Sequence, residues 1–352
     1  MKIILAFLIP IMLLSSCHGQ KNKSENLLSN GELGKTVAQI DSNIWAIFQD
    51  SKNSYWLGSN GNGVFQVSNN KIIQFTSEHG LCNNTIRGFQ EDEKGNILIE
   101  TQNGVCKFDG TKFTNIEIIR SESNKWMLEE HDLWFNCNAG FEDVLRYDGD
   151  KLYELKLPRQ DLTKVLHSPD INFKFNPYVI YGIDKDSKGN VWFGTESAAA
   201  FRFDGNQFLW IGEKELSVLE DGRVPGVRSI LEDQDGNMWL SNFISKYKMD
   251  GSGGYEKITT NAPLEEIDKH SLPYFNAGLK DHDGNLWMVT YGGGVWRYNG
   301  KELDHFPVTK NDSTIYLMTI HQDNNNFIWL GTQNDGVYRW DRNGFSKYVF
   351  GE

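Results

Sequence analysis

The stretch Asp233-Gln234-Asp235-Gly236-Asn237-Met238-Trp239-Leu240 decides the fold, because it recurs along the chain. It returns as Asp186-Ser-Lys-Gly189-Asn190-Val-Trp192-Phe-Gly194-Thr195 and as Asp281-His-Asp-Gly284-Asn285-Leu-Trp287. With Asn in place of Gly it reads Asp323-Asn-Asn-Asn326-Phe-Ile-Trp329-Leu-Gly331-Thr332, and near the N-terminus Asp50-Ser-Lys-Asn53-Ser-Tyr-Trp56-Leu-Gly58-Ser59. Asp92-Glu-Lys-Gly95-Asn96-Ile-Leu98 puts Leu where the others put Trp, and Glu129-Glu-His-Asp132-Leu-Trp134-Phe is a shortened copy. The anchors Trp56, Leu98, Trp134, Trp192, Trp239, Trp287 and Trp329 are spaced 42, 36, 58, 47, 48 and 42 residues apart. Six of the 11 Trp thus share one repeat position, so the body of the chain is one unit repeated seven times.

Each unit reads as four strands. A short apolar alternation such as Ile44-Trp-Ala-Ile47 or Val227-Arg-Ser-Ile230 comes first. The Asp-x-x-Gly-Asn cluster then supplies the positive-φ residues of a tight hairpin. The second strand carries the anchor. After a Gly-containing turn comes a third, such as Gly104-Val-Cys-Lys-Phe108 or Gly294-Val-Trp-Arg-Tyr298. An Asp-Gly turn (Asp109-Gly110, Asp148-Gly149, Asp204-Gly205) leads to a fourth, outer strand such as Phe345 to Phe350. One four-stranded sheet cannot bury both faces alone, and seven packed radially can. The spacing therefore predicts an all-β chain, a seven-bladed β-propeller over residues 40–352, with each anchor filling the gap between neighbouring blades. The last copy ends in its own outer strand, and whether Lys35 to Ile40 adds a strand that latches the ring is open.

Composition agrees. With 34 Gly, 8 Pro, 11 Trp, 13 Tyr and 21 Phe, the chain has turn formers for many short strands and ring surface for a large core. Against 35 Lys and Arg stand 47 Asp and Glu, a formal net charge of −12, which argues against a duplex nucleic-acid binder. At the N-terminus Lys2 precedes the apolar run Ile3 to Leu14, broken only by Pro10. It is too short to span a bilayer and suits a signal peptide over residues 1–16. Leu14-Ser15-Ser16-Cys17 resembles the bacterial lipobox, which implies cleavage before Cys17 and a diacylglycerol on its thiol. Residues 17–39, polar from His18 to Gly34, read as a tether. The expectation is a protein exported to the bacterial cell envelope, at the outer membrane or facing the periplasm, and lipid-anchored rather than spanning.

The composite pattern Ile-x-x-Asp-x-x-Gly-Asn-x-Trp-x-Gly-Thr…Gly-Val-x-Arg-Tyr/Phe-Asp-Gly…Phe resembles the two-component-regulator propeller repeat over roughly residues 40–350. That family commonly supplies the periplasmic sensor of hybrid two-component systems in glycan-degrading bacteria, so the resemblance implies a sensory propeller, an oligosaccharide ligand and a separate signalling partner. After Glu352 no transmembrane helix, β-sandwich or kinase follows in this sequence, which leaves the signal output open. Leu98 and the short copy at Trp134 depart from the repeat and predict looser second and third blades.

In such a ring the fourth-to-first and second-to-third connections share one face, opposite the Asp-x-x-Gly-Asn hairpins. The longest fourth-to-first connections, Leu157 to Tyr178, Lys214 to Gly226 and Asn261 to Tyr274, mark that face for binding. Five residues before the hairpin Asp the copies read Trp45, Arg87, Tyr181, Arg228, Asn276 and Met318. Four residues after the anchor they read Asn60, Gln102, Asn138, Glu196, Phe243, Tyr291 and Gln333. Positions that differ in every copy while their neighbours repeat are not chosen by shared packing. Both sets are expected at the mouth of the central channel, where rings, Arg forks and amides suit an oligosaccharide or a protein partner. The same residues also serve as filler in a bland reading, and Trp126, Trp210, Tyr274 and Tyr316 read as packing.

No cofactor or metal is implied. Asp233-x-Asp235-Gly236 and Asp281-x-Asp283-Gly284 carry an incomplete EF-hand series, and Gly292-Gly293-Gly294 does not open a helix. The alternative is a lyase or hydrolase, similar to the propeller lyases that open streptogramin rings, using His79, His167 or His270 with Glu196. The hairpins also resemble sialidase Asp boxes, but no arginine triad is assignable. Cys82, Cys106 and Cys137 remain after lipidation; Cys82 and Cys106 are either a disulfide or buried thiols.

Overall fold

The structure, a computed structural model, describes residues 33–136, 143–165, 176–218, 222–270 and 272–351. Strand pairing divides this body into seven blades, each a sheet of at least four strands, with one short helix, Leu264–His270, between blades 5 and 6. Blade 4 is representative: Ile180–Lys185, Val191–Thr195, Ala200–Phe203 and Phe208–Ile211 run antiparallel from the inside out. Among the described residues no helix is long and apolar enough to cross a membrane.

The repeat is explained residue by residue. In the hairpin, the fourth residue takes a positive φ (Asn53 at 64°, Gly189 at 82°, Gly236 at 76°, Asn326 at 66°), which is why Gly or Asn stands there. The hairpin Asp accepts from the backbone N–H groups two and four residues on, as Asp186 does from Lys188 and Asn190. Its second oxygen accepts the indole N–H of the anchor six residues on. That bond recurs at 2.8 Å for Trp56, 2.9 Å for Trp192, 3.2 Å for Trp239 and 2.8 Å for both Trp287 and Trp329. A buried indole needs an acceptor, and the turn-forming carboxylate supplies it. The Gly two residues after the anchor makes room for the next blade. A Cβ on Gly194 would stand 2.1 Å from the carbonyl oxygen of Val227 in blade 5, and one on Gly331 would stand 2.6 Å from that of Ile44 in blade 1. The following Thr closes its turn, Thr195, Thr290 and Thr332 each donating to the carbonyl four residues on.

The core lies between blades, in seven apolar clusters with one anchor each. Trp56 packs with Ile97, Ile99 and Phe108 of blade 2; Trp192 with Met238, Leu240 and Tyr247 of blade 5; Trp239 with Leu286, Met288 and Trp296 of blade 6. Trp287 meets Ile328 and Leu330, and Trp329 meets Leu57, Phe65 and Val67, which closes blade 7 on blade 1. Closure therefore repeats the ordinary interface, reinforced by the Tyr55 hydroxyl donating to Asp323 at 2.6 Å. The segment before blade 1 does form a strand, Lys35–Val37, but it adds to the outer edge of blade 1 itself and does not latch the ring. Neither departure from the repeat leaves a gap. Leu98 is fully buried against Phe135, Leu145 and Tyr147, and Trp134 stacks on Trp126 with ring centroids 5.8 Å apart.

Blade 3 corrects the expectation of four strands in one uniform order. Its anchor strand Leu133–Phe135 pairs with Asp143–Tyr147 and then Leu152–Lys156, and the fourth strand, Ile118–Ile119, lies outside, parallel to Leu152–Lys156. No inner strand stands here among the described residues. Neighbouring side chains take its hydrogen bonds: Gln90 of blade 2 donates to the carbonyl of Trp134 at 2.7 Å and Lys185 of blade 4 to that of Asp132 at 2.9 Å. Glu100 of blade 2 accepts from the Asn136 N–H at 3.0 Å. The short copy lacks residues for an inner strand, and buried backbone groups must still be paired. Asp132 pairs with Arg146 at 2.6 Å; six residues before the anchor, where the other copies have the hairpin Asp, stands Leu128, and the Trp134 indole N–H finds no acceptor among the described residues.

Candidate functional site

Four of the residues singled out at the starts of inner strands share a backbone device. Register slips by one residue between Ile44 and Ala46, Ile86 and Gly88, Ile180 and Gly182, and Leu317 and Thr319. Trp45, Arg87, Tyr181 and Met318 are therefore the extra residues of β-bulges, released from the ladder and free to vary. In blades 5 and 6 the inner strands start later, at Ile230 and Ala277, so Arg228 and Asn276 sit just ahead of them.

These side chains come together across blade boundaries in three groups. At blades 1 and 2 the Arg87 guanidinium lies 4.6 Å from the Trp45 ring centroid and donates to Asn60 at 3.1 Å. At blades 4 and 5 the same constellation recurs, with Arg228 4.1 Å from the Tyr181 ring centroid and interacting electrostatically with Glu196. Burial raises the Glu196 carboxyl above its ordinary range while the Arg228 charge opposes that rise. At blades 6 and 7 the Tyr291 hydroxyl is 2.5 Å from Gln333, and the Tyr291 and Tyr316 rings stack at 4.8 Å.

The two constellations differ in exposure. Arg87 is half-buried; burial lowers its pKa and Glu100 acts to raise it. Arg228 is exposed and joins Asn276 and Tyr291 on the wall of a cavity of about 350 Å³. The long connections complete that wall: Arg223, Val224 and Pro225 come from the segment before blade 5, and Leu272, Tyr274 and Phe275 from the segment before blade 6. Three of the thirteen residues expected at the mouth, Arg228, Asn276 and Tyr291, thus line one cavity. Tyr274 and Tyr316, read as packing from the sequence, lie in the wall and on its rim.

Phe243 goes elsewhere. Ser241 turns the chain with a φ of 52°, and Asn242 closes the loop by accepting from the N–H groups of Ile244 and Ser245. Phe243 is thereby fully buried against Phe275 and Trp296 between blades 5 and 6, with no surface for a ligand. Gln102 is exposed, its backbone N–H held by the Thr85 carbonyl. Asn138, Cys137, Cys17 and His167 lie outside the described residues. Of the remaining histidines proposed for catalysis, His79 accepts the Thr76 N–H on Nδ1 at 3.0 Å, and His270 closes the helix Leu264–His270. Among the described residues no group of His, Cys, Asp or Glu is placed to hold a metal ion. Cys82 and Cys106 form a disulfide that ties the connection between blades 1 and 2 to the third strand of blade 2.

Two titratable groups on inner strands, Asp184 and His321, are not singled out by the sequence. Asp184 reaches water yet is enclosed by protein; burial raises its carboxyl to about 6, aided by the nearby charges of Glu232 and Asp186 and opposed by the Lys185 N–H. His321 is pushed down to about 4 by burial, against the pull of Asp323.

Residues 38–61, 174–197 and 221–243 match the family described as two component regulator propeller. Among curated proteins there is no significant match. Among solved structures, the chain is similar to the extracellular domain of BT4673 from B. thetaiotaomicron, described as a one component system, at 19% identity and a TM-score of 0.58 over 90% of this chain. It is similar to the extracellular domain of the hybrid two component system BT3049 from the same organism at 18% identity and a TM-score of 0.59 over 86% of the chain. This chain spans only 40% and 39% of those two chains. It also matches streptogramin B lyase over 86% of its length and 95% of the lyase, at 13% identity and a TM-score of 0.55. At these identities the likeness establishes the fold.

Proposed function

From a ring whose blades carry the two component regulator propeller repeat, we propose an extracytoplasmic, lipid-anchored binding propeller that takes an oligosaccharide or a protein partner at the channel mouth. One observation carries the reading. Arg228, Asn276 and Tyr291, chosen only because they vary where the repeat is otherwise constant, share a single cavity wall. A concave site with apolar walls and a few polar groups is the ordinary form of a ligand pocket. The disulfide supports an oxidising compartment, as export requires. Anchoring rests on the Leu14-Ser15-Ser16-Cys17 motif.

A thermal-shift screen with neutral glycans, acidic glycans and envelope proteins tests the proposal. A ligand that raises the melting temperature of the wild-type protein is expected to lose that effect in Arg228→Ala and Tyr291→Ala. It should keep the effect in Lys248→Ala, an exposed change on an outer part of blade 5. Equal shifts in all three variants would place binding away from this cavity.

A further inference from the structure

We propose that the cavity beside Arg228 takes an acidic polypeptide segment that carries an apolar side chain next to its carboxylate. The inference rests on the reading of the mouth as a binding face and narrows it to one chemistry. Large apolar side chains that stand exposed are few in the described chain: Met127, Val224, Leu272, Tyr291, Tyr316 and Phe327. Four of these six gather here, Val224 at 38%, Leu272 at 44% and Tyr291 at 47% exposure on the cavity wall, and Tyr316 at 41% stacked on Tyr291. A contiguous apolar patch rimmed by polar groups marks a protein-contact site. Val224 and Leu272 offer no flat face for a pyranose to stack on, whereas a Leu or Phe side chain packs against them directly. Tyrosines and an arginine beside them are the residue types that dominate binding energy between proteins.

Charge decides which segment. The protein has a formal charge of −12, yet the described cavity wall contains Arg223 and Arg228 and no carboxylate. The Arg228 guanidinium lies over Tyr181, 4.1 Å from its ring centroid, and interacts electrostatically with Glu196, so its orientation is set before a partner arrives. An arginine held in this way is suited to a forked bond with a carboxylate. Asn276 supplies a further polar point: its amide nitrogen donates to the Leu317 carbonyl at 3.1 Å, and its amide oxygen has no donor among the described residues. A backbone N–H of the segment would satisfy it after a small shift of the wall. The volume of about 350 Å³ suits one or two side chains, with the rest of the segment running over Tyr291 and Tyr316.

Isothermal titration with a blocked pentapeptide alternating Glu with Phe and Leu tests this, alongside the same peptide with Lys for Glu, a neutral oligosaccharide and a uronic-acid oligosaccharide. The acidic peptide should bind and the Lys peptide should not. Arg228→Gln and Leu272→Ser should each weaken the acidic peptide at least tenfold, and Lys248→Gln, an exposed change elsewhere on blade 5, should leave it unchanged; melting temperatures confirm that the variants are folded. Binding should weaken as NaCl rises. No binding of the acidic peptide, or binding equal in wild type and Arg228→Gln, overturns the inference. Saccharide binding that is lost in Arg228→Gln, without peptide binding, also overturns it but leaves the mouth as the ligand site. Saccharide or peptide binding indifferent to both Arg228 and Tyr291 overturns the site reading as well.

Discussion

Replacing Trp by Phe at two equivalent anchors should have very different costs. Trp192 and Trp134 occupy the same position in blades 4 and 3 and are 0% and 5% exposed. At either site the smaller ring leaves about 40 Å³ unfilled, which at ~24 cal/mol per Å³ costs ~1 kcal/mol. At Trp192 the change also removes the N–H that donates to Asp186 at 2.9 Å. A buried bond to a charged acceptor contributes about 1.5–3 kcal/mol, so Trp192→Phe should cost about 2.5–4 kcal/mol. At Trp134 the lost N–H has no acceptor among the described residues, Leu128 standing where the other copies have the hairpin Asp. Removing an unpaired buried donor recovers about 1–3 kcal/mol, which offsets the void. Trp134→Phe should therefore lie near zero or stabilise slightly. The expected gap of about 3 kcal/mol corresponds to roughly 4 °C in melting temperature for a chain of this size. Paired urea titrations with tryptophan fluorescence, analysed at constant m-value, measure it. Equal losses at both sites would show that the indole–carboxylate bond contributes nothing and that the anchor acts through volume alone.

Four further outcomes are expected. His321 is held near 4 in the folded state against about 6.5 unfolded, so the unfolded chain takes a proton that the folded chain refuses, and stability falls as pH drops through that interval. His321→Phe should flatten the loss of urea midpoint between pH 7 and pH 5; an unchanged slope refutes the burial argument. Asp184 has the opposite sign. Its carboxyl is raised to about 6, so stability falls as pH rises from 4 to 6, and Asp184→Asn should stabilise the protein at pH 7.5 but not at pH 4. The Cys82–Cys106 bond spans 24 residues of sequence, and loop-closure entropy assigns about 3.5 kcal/mol to it; the Cys82→Ser, Cys106→Ser double variant should melt correspondingly lower, and a melt insensitive to reductant would contradict this. Cys17→Ser should move the protein from the membrane to the soluble fraction of a Gram-negative host; retention in the membrane would rule out the lipid anchor.

The number of blades, their strand order in six of seven, and the identity of each interblade anchor were legible in the sequence, because a repeat is a local pattern and each copy carries its own turn, strand and core residue. The legible part of the candidate site was the set of positions that break the pattern. Of those positions Arg228, Asn276 and Tyr291 line one cavity, while Phe243 is buried between blades, since a single left-handed residue at Ser241 redirects the chain two residues later. Val224 and Leu272 carry no repeat signal at all; their long connections were visible, but their convergence was not.

What only the tertiary structure decided lies between blades. Periodicity along the chain places Arg228 and Tyr181 in different copies, 47 residues apart, and says nothing about one guanidinium lying on the other's ring. It records a short third copy without revealing that Gln90, Glu100 and Lys185 take over the hydrogen bonds of the strand it lacks. It offers two cysteines without saying that they meet. Backbone propensity and hydrophobic period act over a few residues and so are written in each repeat. Side-chain contacts across an interface depend on how closed sheets twist and press together, which no single repeat contains.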